Sequence, residues 1–71
     1  LERCFQEVEV AGQRIRVKMG FLGEECLNLA PEYEDCRRAA AAAGMALKEV
    51  YALAQAEARR QDAFSDRSER G

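Results

Sequence analysis

The sequence predicts an α+β fold, a three-stranded antiparallel meander followed by a two-helix hairpin. Three observations carry that expectation. Residues 14–21 alternate strictly between polar and apolar. Across Ala11-Gly12, apolar residues meet apolar residues and acids meet bases. Beyond Pro31, apolar residues recur at helical spacing in two blocks separated by Gly44.

The first strand is read over 3–10, ending in Glu7-Val8-Glu9-Val10. The second, 14–21, places Ile15, Val17, Met19 and Phe21 on one face and Arg14, Arg16, Lys18 and Gly20 on the other. A period of two marks a strand with one buried face. A turn at Ala11-Gly12 sets Val8 opposite Ile15, Glu9 opposite Arg14 and Glu7 opposite Arg16, so pattern and register agree. Gly12 supplies the positive φ of such a turn. Leu22-Gly23-Glu24 is a second turn. A short third strand follows over 25–29, with Leu27 and Leu29 in phase and Asn28 interrupting it.

Pro31 is placed at the first position of a helix, where its missing N–H costs nothing. Glu32, Glu34 and Asp35 sit where the helix dipole favours acids. Tyr33, Cys36, Ala40 and Ala43 follow helical spacing. The run Ala39–Ala43 lets a neighbouring backbone approach closely, and Gly44 ends the helix. A second helix is expected over 47–60, with Leu47, Val50, Tyr51, Ala54 and Ala58 as its apolar stripe, widened by Leu53. Residues 1–60 form one small domain, and the polar stretch 61–71 is read as a disordered tail.

Composition narrows the function. The 71 residues carry 11 Lys+Arg against 13 Asp+Glu, a net charge of −2, with both signs spread along the chain. That excludes a polyanion-coating surface. The second helix offers only Lys48 beside Glu49 in its first turn, so it is no DNA-reading helix. No apolar run reaches the roughly 20 residues of a membrane span. Histidine is absent, which removes the commonest general base and metal ligand and argues against a complete enzyme. The chain opens on Leu1 and is expected to be a fragment of a longer protein. Cys4, Cys26 and Cys36 are odd in number and lack the Cys-x-x-Cys spacing, so reduced, mostly buried thiols in a cytoplasmic protein are expected. With 7% aromatic residues and no Trp the core is thin, and stability is expected to come from association.

Four stretches together resemble a known family: Leu1, Arg3 and Phe5; Gly12 with Ile15-Arg16-Val17-Lys18; Asn28-Leu29-Ala30-Pro31-Glu32-Tyr33-Glu34-Asp35-Cys36; and Gly44 with Leu47-Lys48-Glu49-Val50-Tyr51. They are similar to the C-terminal end of the LarC family, the nickel-insertion proteins of nickel-pincer nucleotide biosynthesis. That family shows a YGxVRVKV strand, then PEYEDC, then GxPLKEVY. The match covers about residues 1–55. The chain departs at Ala11, where the family usually has an aromatic, and at Ala46, where it often has Pro.

The resemblance implies an αβ portion and a larger N-terminal domain upstream, with this stretch as the C-terminal half of a ferredoxin-like domain. It implies a lyase-type cyclometallation that inserts Ni2+, the substrate metal, into pyridinium-3,5-bisthiocarboxylic acid mononucleotide. The product is the prosthetic group of lactate racemase and related enzymes. The reaction uses CTP with Mn2+ or Mg2+, and the C-terminal domain binds the nucleotide. A trimer-based homo-oligomer is implied as well. This chain alone is not expected to turn over, and no residue of it is assigned a catalytic role.

Each candidate residue has two readings. Arg14, Arg16 and Lys18 form a basic row at about 6.6–7 Å intervals, suited to successive phosphates of a triphosphate. Otherwise Glu9 and Glu7 neutralise Arg14 and Arg16 on a solvated face, leaving Lys18 without an acid opposite. Glu32 and Asp35, one turn apart, either bind a hard divalent cation through oxygen or merely meet the helix dipole. Tyr33 either stacks on a base or packs between helix and sheet. Cys36 is a soft ligand in principle, but nothing sets the three thiols converging. The alternative to a nucleotide-binding and oligomerisation region is a non-catalytic α+β protein-interaction and assembly module.

Overall fold

The structure is a computed structural model; it describes residues 2–70, with side chains placed for 4–26 and 28–61. Strand β1 is Glu2–Val10, β2 is Gln13–Leu22 and β3 is Glu25–Pro31; helix α1 is Tyr33–Ala43 and α2 is Leu47–Arg70. The strands form one antiparallel sheet in the order β1-β2-β3. The α+β arrangement is therefore the one that the alternation and the helical stripes predict.

The hairpin register is the expected one: Val8 lies opposite Ile15, Glu9 opposite Arg14 and Glu7 opposite Arg16. Ala11 (φ 51°) and Gly12 (φ 78°) both take positive φ, the turn whose twist matches that of its strands. Glycine accepts this freely, whereas Ala11 holds its Cβ in a region costing roughly 1–2 kcal/mol. Strand pairing on both sides of the turn holds it there.

Pro31 is a strand residue, not the first residue of a helix. It is the partner of Val17 at the end of β3, and the N–H of Glu32 still donates to the carbonyl of Arg16 at 2.8 Å. A proline fits here because β3 is an edge strand, where the missing N–H breaks no ladder bond. Glu32 (φ −66°, ψ 128°) is the N-cap, and Tyr33 opens the helix. Gly44 (φ 67°) closes α1 in the left-handed conformation, as predicted, with its N–H on the Ala40 carbonyl.

Both helices cover the same face of the sheet. The core joins Val8, Val10, Ile15, Val17, Met19 and Leu29 to Cys36, Ala39 and Ala40 of α1 and Val50, Ala54 and Ala58 of α2. Ala39 and Ala40 thus permit close approach inside the domain, leaving Ala41 and Ala42 exposed. Leu53 is exposed instead of widening the stripe.

Helix α2 runs beyond the expected end near residue 60. Its Gln55 donates to the Leu29 carbonyl at 3.0 Å, and Gln61 meets Gln6 of β1. Gln61 ties α2 to β1 just beyond the end of the apolar stripe at Ala58. The tail read over 61–71 falls almost wholly outside the described side chains, as does Leu27.

Among the described residues, no helix lies on the opposite face of the sheet. That face presents Phe5, Glu7 and Glu9 of β1, Arg14, Arg16 and Lys18 of β2, and Asn28 and Ala30 of β3, all exposed. This open face positions the candidate site.

Candidate functional site

The alternation of β2 brings Arg14, Arg16 and Lys18 to the open face, but their side chains diverge. Nη1 of Arg14 meets Oε1 of Glu7 at 3.3 Å. The predicted opposite residue, Glu9, is passed over for the diagonal one, which long side chains reach readily. Arg16 does not pair with Glu7. It turns to the other edge of β2 and binds Asp35. Lys18 lies with Nζ 5.9 Å from the Phe5 ring centroid. Among the described residues, no carboxylate stands within ion-pair distance of Lys18.

Asp35 is the only buried charged residue among those described, at 5% exposure. Its Oδ2 accepts from the Arg16 backbone N–H at 3.0 Å and from Arg16 Nε at 3.1 Å. Its Oδ1 accepts from Arg16 Nη2 at 3.4 Å and Arg38 Nη1 at 3.3 Å. Arg38 Nη2 also donates to the Arg14 carbonyl at 3.1 Å.

These bonds have a common cause. β3 ends at Pro31, so the edge of β2 over residues 14–16 loses its strand partner. The first turns of α1 replace it: the Glu32 N–H takes the Arg16 carbonyl, Asp35 takes the Arg16 N–H, and Arg38 takes the Arg14 carbonyl. Buried backbone groups left open would cost as much as lost hydrogen bonds. The Arg16 guanidinium, with its backbone N–H, holds the Asp35 carboxyl well below the usual carboxylate range, at about 2, against the opposing effect of burial.

This geometry gives Asp35 a structural partner set, so its oxygens are turned to arginine. Glu32 is half-buried at the N-cap and makes no side-chain capping bond. Among the described residues, no three His, Cys, Asp or Glu side chains come together as a metal-binding group. Tyr33 is 58% exposed and does not pack between helix and sheet.

The thiols also divide. Cys36 is buried, and burial pushes its pKa up; Cys4 is exposed and Cys26 half-buried. The expectation of mostly buried thiols holds for Cys36. Cys4 shares the apolar phase of β1 but is exposed, near the end of the strand far from the hairpin turn.

A hollow of about 280 Å³ lies against β1, lined by Glu7, Val8, Glu9, Arg14 and Gln61. Its two carboxylates make it unsuited to an anion. No helix among the described residues is long and apolar enough to cross a membrane.

Sequence reasoning places the cation row but misses Phe5 on the open face, which enters only as part of a motif, and Arg38 in the Asp35 network. Arg38 stands three residues after Asp35, a spacing that makes helix neighbours.

The family model for the nickel insertion protein matches residues 1–51, which hold β1, β2, β3, α1 and the start of α2. Curated relatives named for nickel insertion agree. One from Myxococcus xanthus is 48% identical over 56 residues, covering 79% of this chain and 14% of the relative. One from Gloeobacter violaceus is 41% identical over 56 residues, with coverage of 79% and 13%. One from Geobacter sulfurreducens is 42% identical over 57 residues, with coverage of 80% and 14%. The chain thus spans only 13–14% of the length of these relatives. No solved structure matches the chain. Every residue of the open-face site and of the Asp35 network lies within the matched stretch, and on that match the chain belongs to the nickel insertion protein family.

Proposed function

We propose that this chain is the C-terminal nucleotide-binding and oligomerisation region of a cytoplasmic nickel-insertion protein. In this reading the whole protein metallates pyridinium-3,5-bisthiocarboxylic acid mononucleotide with Ni2+ as substrate, using CTP. The observation that carries it is the cationic row on the uncovered face of β2, with Lys18 facing no carboxylate among the described residues. A triphosphate with one bound divalent ion keeps a net charge near −2, which Lys18 and the net positive charge of the Arg16, Asp35 and Arg38 cluster balance. Arg16 is held in place by Asp35 and meets the nucleotide with its exposed edge; Lys18 meets it as a point charge.

The carboxylates do not fit a protein cage for Mn2+ or Mg2+. Such ions need several oxygen ligands, and Asp35 turns its own to arginine. The divalent ion is therefore assigned to the phosphates, with Glu32 as the carboxylate left to meet it and Tyr33 exposed nearby. For nickel, the thiocarboxylates of the precursor supply the soft ligands.

Calorimetric titration of the full-length protein with CTP and Mn2+ tests the reading. A charge-assisted hydrogen bond is worth about 1.5–3 kcal/mol, so Lys18→Ala is expected to weaken binding about 10-fold or more. Arg14→Ala, already committed to Glu7, is expected to change it far less. Absence of nucleotide binding by the unaltered protein overturns the proposal.

One observation favours the assembly role, whether alone or alongside nucleotide binding. Leu22, Tyr33 and Leu53 are large apolar side chains left exposed. Sedimentation equilibrium of the full-length protein at tens of micromolar is expected to give more than one subunit, and a clean monomer removes the oligomerisation part.

A further inference from the structure

We infer that Phe5 is the platform on which the flat ring of the bound nucleotide stacks, beside Lys18 as the phosphate contact. This rests on the nucleotide reading above and adds to it the residue that recognises the base.

The first observation is a reversal of pattern in β1. Val8 and Val10 point to the core, and Glu7 and Glu9 to the open face. By that alternation residue 6 should be apolar and residue 5 polar. The chain does the opposite. Phe5 stands on the open face, 60% exposed, while Gln6 turns inward and bonds Gln61. An aromatic side chain on the solvent phase of a strand gives up burial of its ring, and such departures from pattern are expected at functional sites.

The second observation is what surrounds the ring. Across the sheet, Phe5 lies opposite Lys18, and Lys18 opposite Ala30. The next row on that face is Gly20 opposite Asn28, with the Asn28 amide laid over Gly20; a Cβ there would meet Oδ1 at 3.0 Å. Across the sheet from the ring, Ala30 and Gly20 add little side-chain bulk, and a cation and an amide stand beside them. Those are the groups that suit an aromatic ring carrying polar edge atoms and a phosphate. At 5.9 Å from the ring centroid, Lys18 Nζ sits at the outer limit of a cation–π contact, so the lysine is readily drawn to a phosphate.

Base-on-aromatic stacking accepts any base, because each has a π-face. Selectivity among bases would then fall to polar groups at the rim, of which Asn28 is the nearest.

The test is calorimetric titration of the full-length protein with CTP plus Mn2+ and, separately, with inorganic triphosphate plus Mn2+, for the unaltered protein, Phe5→Ala and Phe5→Trp. Phe5→Ala is expected to weaken CTP binding about 10-fold and leave triphosphate unchanged, with Phe5→Trp restoring CTP affinity. Unaltered CTP affinity in Phe5→Ala overturns the stacking role while leaving the nucleotide reading intact. So does an equal loss for CTP and triphosphate. A lowered melting temperature with unchanged CTP affinity overturns it too, by showing that the ring is covered by another part of the protein. Failure of the unaltered protein to bind CTP overturns both readings together.

Discussion

Replacing Asp35 by alanine is expected to lower the local stability of the β2–α1 junction by about 3 kcal/mol. The loss strips the acceptor from the Arg16 backbone N–H, where the edge of β2 has no strand beside it, and a buried donor left open costs about 1–3 kcal/mol. The ion pairs with Arg16 and Arg38, both more than half exposed to water, add little to that. The measurement is hydrogen exchange at the Arg16 amide in the full-length protein, which reports that bond directly. Its protection is expected to fall by about two orders of magnitude. Asp35→Asn keeps an acceptor of the same shape and should lose less. Equal protection in Asp35→Ala and the unaltered protein would show that α1 does not close the edge of β2 in solution.

The same group sets a pH dependence whose sign is determined. The Asp35 carboxyl is lowered from 3.8 to about 2, chiefly by the Arg16 guanidinium. Its contribution is therefore complete above pH 3.8 and is lost as pH falls from 3.8 towards 2. Because Arg16 is more than half exposed to water, the contribution is about 1–2 kcal/mol. Asp35→Asn is expected to abolish this acid-side step in Arg16 protection.

Ile15→Ala is expected to cost about 3 kcal/mol, measured by denaturant-induced unfolding of the same protein. Ile15 is fully buried in the central strand, opposite Val8, and is among the largest side chains in a core otherwise rich in alanine. Ala39, Ala54 and Ala58 have no side-chain length with which to fill the space left behind. Ile15→Val is expected to cost about 1 kcal/mol. Arg59→Ala, on the exposed side of α2, should stay within about 0.5 kcal/mol. A loss below 1 kcal/mol for Ile15→Ala would mean that the helices can settle onto the sheet.

Much of the site was legible in the chain because strands and helices expose their periodicity directly. Arg14, Arg16 and Lys18 could be set on one face by counting in twos, and the acid opposite each arginine by counting from the turn. Which acid each arginine binds could not be counted. Arg14 chooses Glu7 over Glu9, and Arg16 chooses an aspartate 19 residues away. Both choices depend on where long side chains reach in three dimensions. Pro31 shows the same limit, since the residue suits both the first turn of a helix and an edge strand. Only the pairing of β3 with β2 decides between them.

The α+β class, the hairpin register, the helix stop at Gly44 and the family can all be read along the chain, because each rests on local spacing or a contiguous motif. The role of Asp35, the exposure of Tyr33 and the direction in which each cation points follow only from how the elements dock. The physical reason is that local pattern assigns a residue to a face of its own element. What lies across that face is set by the other elements that dock there. Where β3 stops and α1 begins, that docking converts a helix-start acid into the acceptor that closes the sheet edge.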